Sequence, residues 1–434
     1  MSRRREAVVG LDVGTSSTKV AIACPSTGII LDRATAEYAW AAGAAVTVED
    51  YWRVLYQEIR RLQDDYAIQA IAVSTQMYSL VAPSGAVVGW NTPWKASPEQ
   101  LRQWMGVLPG TGAQPDPIFP VFKLLDGADL LPYGLKAALM ARLTGTRVVD
   151  PAEASATGMY DVERGRWIEN IPLSVLQRES LPELVPHNAV VGTVAPEHRF
   201  RDPFRVVAGL GDGVSASYRG RDCGGTAANL GTSVAVRAIL PLTTGSRADQ
   251  WRFRIDNDHL VYGGISRAGF GVLQRFRDGG YEVMEPADAR EDLPLFLPWL
   301  DGVQWPLWDS QRTSALLRLK PAHGTKEIGA AVWQSVVYVV ASMIEEISPD
   351  TSCLVAGGGV LEPGFLEALS RCVTRELVVP EHAGFFAAEG AAQSALSALG
   401  GQTLPPPALT QALPPSSQRD AAFQEWIQIA LRSE

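Results

Sequence analysis

The chain has 434 residues, of which 46% are hydrophobic, and carries 38 Lys+Arg against 47 Asp+Glu for a formal net charge of −9. That length predicts two to four domains with sizeable cores, and the acidic balance argues against nucleic acid or an anionic membrane as a general partner. Four cysteines, Cys24, Cys223, Cys353 and Cys372, form no C-x-x-C pair, which disfavours a disulfide scaffold or zinc ribbon and suits a reducing, cytoplasmic setting.

Arg3, Arg4 and Arg5 are followed by Glu6 and Asp12, so no signal-peptide core is expected, and no run of ~18 apolar residues marks a membrane span. Val8 to Ile22 reads as strand, polar turn, strand, with Asp12 and Gly14 at the turn. From Glu49 to Tyr66, Trp52, Leu55, Ile59 and Leu62 recur at three- and four-residue steps, the signature of an amphipathic helix, and a strand follows at Ala70 to Val73. The stretch from Ser97 to Pro120 is rich in Gly and Pro and reads as loop around one short helix. A helix is expected near Tyr133 to Leu143, stopped by Thr144-Gly145. The strand Val206 to Ala208 runs into the turn Gly209-Leu210-Gly211-Asp212-Gly213, and the main domain boundary is expected just beyond it, at 217/218.

The second half restates the first. Ala227 to Val236 is again strand, Gly-Thr-Ser turn, strand, and Gly231 lies half a chain after Gly14. Ile328 to Ile347 reads as an apolar helix leading to the strand Ser352 to Ala356, the triplet Gly357-Gly358-Gly359 and a helix near Ala387 to Leu399. The Pro-rich tail reads as a solvated linker before a final amphipathic turn or two. Strands alternating with helices, twice over, give an α/β fold of two related domains facing each other across a cleft, 1–217 and 218–434.

A Gly-Thr-Ser turn between strands offers backbone N–H groups and hydroxyls to an anion, because glycine lets the backbone approach closely. One such turn alone could be an ordinary hairpin. Two, one per domain, can grip a polyphosphate from both sides, and Asp12 is placed to hold Mg²⁺ through water.

With these blocks on the page, the chain resembles the FGGY carbohydrate kinases of the actin-like (ribonuclease-H-like) ATPase superfamily over nearly its whole length. Leu11 to Lys19 resembles that family's first phosphate loop, Asn229 to Ser233 its second, and Ala356 to Gly359 its adenosine motif; Phe296 to Gly302 and Tyr262 to Ile265 are further similar blocks. The resemblance implies ATP and Mg²⁺ as cofactors. It assigns Gly14, Thr15, Ser16, Ser17, Lys19, Gly231, Thr232, Ser233, Gly269, Gly357, Gly358 and Gly359 to ATP, and Asp12 to the metal. It assigns Gln76, Met77, Tyr78 and Asp212 to the acceptor, with Asp212 as general base toward a sugar hydroxyl. Taken without that resemblance, Asp212 would be a turn former, Gly269 is equally a packing glycine, and Met77 and Tyr78 line either a pocket or the core beneath it.

Val149 to Tyr160 and Asp212 to Val214 are closest to the gluconate-phosphorylating branch, with the xylulose branch next. Departures cluster on the sugar side. Tyr78 stands where the family has His, Trp90-Asn91-Thr92-Pro93-Trp94-Lys95 lacks an acid and an arginine, and Gly302-Val303-Gln304 replaces Gly-Glu-Arg. The expected activity is therefore ATP-dependent phosphorylation of a small sugar or sugar acid, D-gluconate first and D-xylulose second, set against a catalytically weak sugar- and nucleotide-binding relative. An actin-like filament or chaperone ATPase is disfavoured, since no peptide-binding domain is appended. Neither nucleic acid nor membrane is an expected partner, and with no interface pattern legible a homodimer stays open. The five histidines are expected at the surface or in turns, the tryptophans in core and cleft, and the cysteines as buried apolar groups.

Overall fold

The computed structural model describes residues 4–431, except 41–44, 91, 93, 95, 96, 107, 109, 170, 172–179, 246, 248 and 286–292. β1 (Arg5–Val13), β2 (Ser17–Ala23) and β3 (Ile30–Glu37) form an antiparallel meander whose first turn closes with the Gly14 N–H on the Ser17 carbonyl at 3.0 Å. α1 (Val48–Asp65) starts at a capping box. The Thr47 hydroxyl accepts from the Asp50 N–H while the Asp50 carboxylate accepts from the Thr47 N–H. The predicted stripe Trp52, Leu55, Ile59 and Leu62 is buried, and the chain returns as β4 (Tyr66–Thr75), parallel to β1. α2 (Leu135–Thr144) ends at Gly145 with φ 81°, as the Thr-Gly stop predicts, and α3 (Pro151–Ala156) is capped by the Asp150 carboxylate. β5 (Val190–Thr193) and β6 (Arg205–Val207) complete a sheet of order β3-β2-β1-β4-β6-β5.

α4 (Asp212–Gly220) leads into the second sheet, so the 217/218 position expected as a boundary lies inside a continuous helix. β7 (Thr226–Leu230), β8 (Val234–Pro241), β9 (Trp251–Arg254) and β10 (His259–Ser266) form an antiparallel group in which β10 lies between β8 and β9, followed by α5 (Phe270–Asp278) and α6 (Thr325–Ile347). β11 (Ser352–Ala356) and β12 (Glu376–Pro380) then add in parallel beside β7. After α7 (Phe386–Ala398), β13 (Leu409–Leu413) closes the order β9-β10-β8-β7-β11-β12-β13. Leaving out β9, the two sheets share one spatial order, a meander, two parallel strands and an antiparallel edge strand, although that edge strand precedes its neighbour along the chain in the first sheet and follows it in the second.

Three expectations are corrected here. The tail is not simply a solvated linker. β13 pairs with β12, and α8 (Ala421–Ala430) buries Phe423 and Trp426 against Tyr338 of α6. α6, at 23 residues and mean hydropathy 1.5, is long and apolar enough to cross a membrane, contrary to the reading of no such segment; 83% of its apolar window is buried in the second core, which accounts for the hydropathy. Of the cysteines, Cys353 and Cys372 are buried as expected, whereas Cys24 and Cys223 are only half-buried; all four are free.

α4 and α7 form the layer between the sheets. α7 lies on β1, β2 and β4 of the first sheet although it follows six of the seven strands of the second. The approach is close because a Cβ on Gly10 would sit 1.9 Å from the Ala388 carbonyl, and one on Gly390 would sit 2.1 Å from that of Ser215. Glu389 of α7, 1% exposed, takes Arg219 of α4 at 2.6 Å and Arg33 of β3 at 2.7 Å.

His187 also joins this layer, and it is buried rather than superficial. Its Nδ1 lies 3.0 Å from Ser394 Oγ, and because that hydroxyl donates to the Gly390 carbonyl, Nδ1 carries the proton. Burial pushes the imidazole down to about 4, against a smaller upward pull from Asp150 and Asp256. Since the folded form resists protonation, stability is complete above the ordinary histidine range and is lost as pH falls toward 4. Going from pH 7 to pH 5 should cost about 2 kcal/mol through this group, and His187→Asn, which keeps a donor, should show that much less acid sensitivity in denaturant titrations. Equal pH slopes for the two proteins would remove His187 as the cause.

Candidate functional site

A cavity of about 1120 Å³ opens between the two sheets. Met77, Tyr78, Trp90, Thr92, Trp94, Pro117, Ile118 and Asp212 line it from one side, and Asn229 to Ala235, Arg237, Ile265, Arg267, Phe270 to Val272, Gln274, Arg275, Asp301 and Gln304 from the other, with Leu230 alone left out of that run.

Asp212 is the first residue of α4, where unpaired N–H groups and the helix dipole favour a carboxylate. Its Oδ1 accepts from the Gly213 N–H at 2.6 Å. Burial raises its pKa above the usual carboxylate range, while the Gly213 N–H, the Arg237 guanidinium, the Met77 N–H and the Lys136 ammonium pull the other way. The loop carrying it is pinned from beneath. Lys136 of α2, fully buried, reaches Asp150 at 2.6 Å and the Gly209 carbonyl at 2.7 Å, and the other Asp150 oxygen caps α3.

The first loop brings Asp12, Lys19 and Ser74 side by side, since Asp12 faces Lys19 across the β1–β2 ladder and Ser74 across the β1–β4 ladder. Asp12 is buried and pushed up to about 7, first by burial and next by the Asp212 charge, with Lys19 opposing. Its Oδ1 has no hydrogen-bond partner among the described residues. Thr15 and Ser16 are exposed at the turn, Ser17 is buried, and none of the loop lines the cavity.

The second loop does line it. The Gly231 N–H meets the Ser233 carbonyl at 3.1 Å, and the start of α5 folds over the turn, Phe270 and Gly271 donating to the Gly231 and Thr232 carbonyls. Gly269 caps α5 and does not line the cavity; a Cβ there would lie 2.7 Å from the Thr232 carbonyl, so its small size serves this packing. The Gly triplet sits behind the same loop. Gly357 has φ 98° with room for no Cβ beside the Leu230 carbonyl, Gly359 abuts the Phe270 ring, and Gly358 faces open space.

On the acceptor side the predicted residues divide. Met77 and Tyr78 line the cavity, Tyr78 with φ 62° and its ring edge-on to Phe119. Gln76 does not line it; its amide donates to the Tyr51 hydroxyl at 2.7 Å inside the first core. Asn91, Pro93 and Lys95 of the altered Trp-Asn segment lie outside the described residues, whereas Trp90 and Trp94 line the cavity.

Arg237 and Arg267 line the cavity, Asp116 lies buried beside Arg267, and none of the three had a role assigned from sequence. Arg237 interrupts an apolar strand, a signal open to reading, and its Nε is buried without a partner among the described residues. Asp116 sits in the Gly- and Pro-rich loop, where no pattern marks it; it joins Arg267 at 3.4 Å and Gln304 at 3.0 Å.

The comparisons bear on this arrangement. The model of the FGGY family of carbohydrate kinases, N-terminal domain, matches residues 132–218, the stretch holding Lys136, Asp150 and Asp212. The gluconokinase of Bacillus subtilis (strain 168) is 23% identical, with 86% of this chain and 84% of that protein aligned. The chain is similar to the FGGY family of carbohydrate kinases over these stretches. A xylulose kinase of Streptomyces rubiginosus is 26% identical over 89% of this chain and 87% of its own length. Among solved structures, the gluconate kinase of Lactobacillus acidophilus superposes with a TM-score of 0.80 at 20% identity, covering 98% of this chain and 97% of that one, which establishes the two-domain FGGY kinase fold, that of the actin-like ATPases.

The Lys136–Asp150 pair yields a stability test. Lys136→Met leaves a buried carboxylate without its cation and should cost about 3–5 kcal/mol in denaturant unfolding. Lys136→Met/Asp150→Asn, neutral and still able to cap α3, should recover much of that loss; a double variant as unstable as the single would disprove the ion-pair account.

Proposed function

We propose that the protein transfers a phosphoryl group from ATP to a hydroxyl of a small sugar or sugar acid, with D-gluconate the first acceptor to test and D-xylulose the second. The observation that carries this reading is Asp212, a carboxylate at a helix N-terminus in the same cavity as the Gly231-Thr232-Ser233 turn. Phosphoryl transfer needs positioning and charge neutralisation more than covalent chemistry. Asp212 receives the proton of the attacking hydroxyl, and its burial lifts it toward the range a general base needs at neutral pH. Thr232 and Ser233, with the backbone of their turn, receive phosphate oxygens from the second sheet, and Gly14 to Ser17 with Lys19 receive them from the first.

Mg²⁺ fits Asp12. A buried carboxylate with one unpartnered oxygen, in a chain where no three-residue cluster of His, Cys, Asp or Glu occurs among the described residues, matches an ion that keeps most of its waters. Bound there, it would neutralise phosphate charge. Arg237 and Arg267 favour an acceptor carrying a carboxylate, which puts gluconate ahead of xylulose. The xylulose reading rests on the Streptomyces relative. Four free thiols agree with a reducing, cytoplasmic setting.

Asp212→Asn keeps the side-chain oxygen that the Gly213 N–H binds and removes the proton acceptor. In assays across polyols, ketoses and aldonates, its kcat should fall about 10²–10⁴-fold with KM values little changed. A kcat within roughly twofold of wild type would make Asp212 a helix-start residue and nothing more. Thr232→Val should instead reduce kcat/KM for ATP roughly tenfold with every acceptor. An effect confined to one acceptor would move Thr232 from the nucleotide to the sugar.

A further inference from the structure

Gln304 stands where the resemblance leads one to expect arginine, and the function above gives it no role. It lines the cavity yet is 2% exposed. Its Nε2 donates to Asp116 Oδ2 at 3.0 Å. Asp116 also takes the Ile118 N–H at 2.9 Å and faces Arg267 at 3.4 Å, so its carboxylate is engaged from three directions. An ionised carboxylate only accepts hydrogen bonds, which means that the amide must turn its NH₂ toward Asp116. The amide oxygen is thereby committed to the other direction. Oε1 is buried and has no hydrogen-bond partner among the described residues. A buried carbonyl oxygen without a donor is costly, and it belongs to a residue that lines the cavity shared with Asp212 and Tyr78.

We propose that Gln304 is a specificity-determining residue that accepts a hydrogen bond from one hydroxyl of the acceptor, with Asp116 as the positioning residue that fixes which end of the amide faces the substrate. The inference rests on the kinase reading and deepens it. The acceptor class it names is a polyol chain bearing a free hydroxyl at this subsite, as opposed to a deoxy, O-alkylated or oxo analogue, none of which can donate there. Asp116 reaches Gln304 from the first half of the chain and Gln304 belongs to the second, so this contact spans the cleft and forms only when both walls are in place. The arrangement also accounts for the glutamine itself. Glutamate at 304 would set two carboxylates against each other, and arginine could only donate.

The test uses D-gluconate, D-xylulose and their singly deoxygenated analogues, measured for turnover and, by calorimetry, for binding. Wild type should lose roughly tenfold to a hundredfold in kcat/KM with the analogue lacking one particular hydroxyl, because that analogue leaves Oε1 without a donor. Gln304→Met, close in shape and unable to accept, should lower activity on the parent compound and bring the parent-to-deoxy ratio at that hydroxyl near unity, leaving the ratios at other hydroxyls intact. Asp116→Asn, which frees the amide to turn over, should blunt the same ratio and no other. Melting temperatures of the variants show whether each is folded, and the Asp116 variant carries the test should Gln304→Met fail to fold. A parent-to-deoxy ratio unchanged in the variants, or lowered equally at every hydroxyl, overturns the inference while leaving the kinase reading standing. Binding that discriminates through Gln304 without phosphorylation of any acceptor overturns the kinase reading and keeps the inference. Neither turnover nor binding with any compound overturns both.

Discussion

The site depends on a single buried ion pair. Lys136 and Asp150 are both shut away from water, which is unfavourable for each alone; they persist because each also satisfies a backbone group. The ammonium takes the Gly209 carbonyl and the carboxylate takes the first N–H groups of α3. The ends of two helices and the turn before a third are thus tied at one point. Gly209 has φ 70° and lies against the Val73 backbone, a position no side chain could occupy. Three residues later the chain enters α4, and the orientation of Asp212 in the cleft follows from that anchored turn.

Around this point the protein collects more negative charge than a core ordinarily tolerates. Asp12, Glu153 and Asp212 are all pushed above the usual carboxylate range, chiefly by burial, and Asp212 adds to the shift of the other two. Arg237 and Lys19 oppose that accumulation from the second and first sheets. Unfavourable electrostatics of this kind, held in place by a rigid surround, is what a site for transferring charged groups requires. It explains why the local rules of core packing break down here and hold elsewhere.

Much of this was legible. The duplication announced itself in two Gly-Thr-Ser turns half a chain apart, and the helices at 48–65, 135–144, 325–347 and 386–398 followed from periodicity and stop signals. Asp212 was singled out through the resemblance, since its Gly-Asp-Gly setting alone reads as a turn; in the fold the second half of that setting is a helix start behind the anchored Gly209. Gln76 was assigned to the site by the resemblance alone; just past the end of β4, its amide turns into the core and donates to Tyr51. His187 carried no local sign of burial, since its partner Ser394 is 207 residues away. Asp116 was invisible for the same reason, having Gln304 for its partner 188 residues on. Local pattern reports elements, whereas contacts between distant segments of a cleft leave no periodic trace.

The placement of α7 has a consequence for how the chain is made. The first sheet draws its strands from the first 207 residues, but the helix that covers one of its faces arrives only after residue 386, and the Arg33–Glu389 bond closes a span of 356 residues. While the ribosome is still adding the second half, the surface of β1 around Gly10, shaped to fit a helix backbone, is without its cover. That face of the first sheet therefore cannot be completed before α7 has been made, which couples the packing of the first sheet to the late part of the chain. A nascent chain stalled before α7 would expose Val8, Ala70 and Ala72, which in the finished protein lie against Ala391, Ala395 and Leu396.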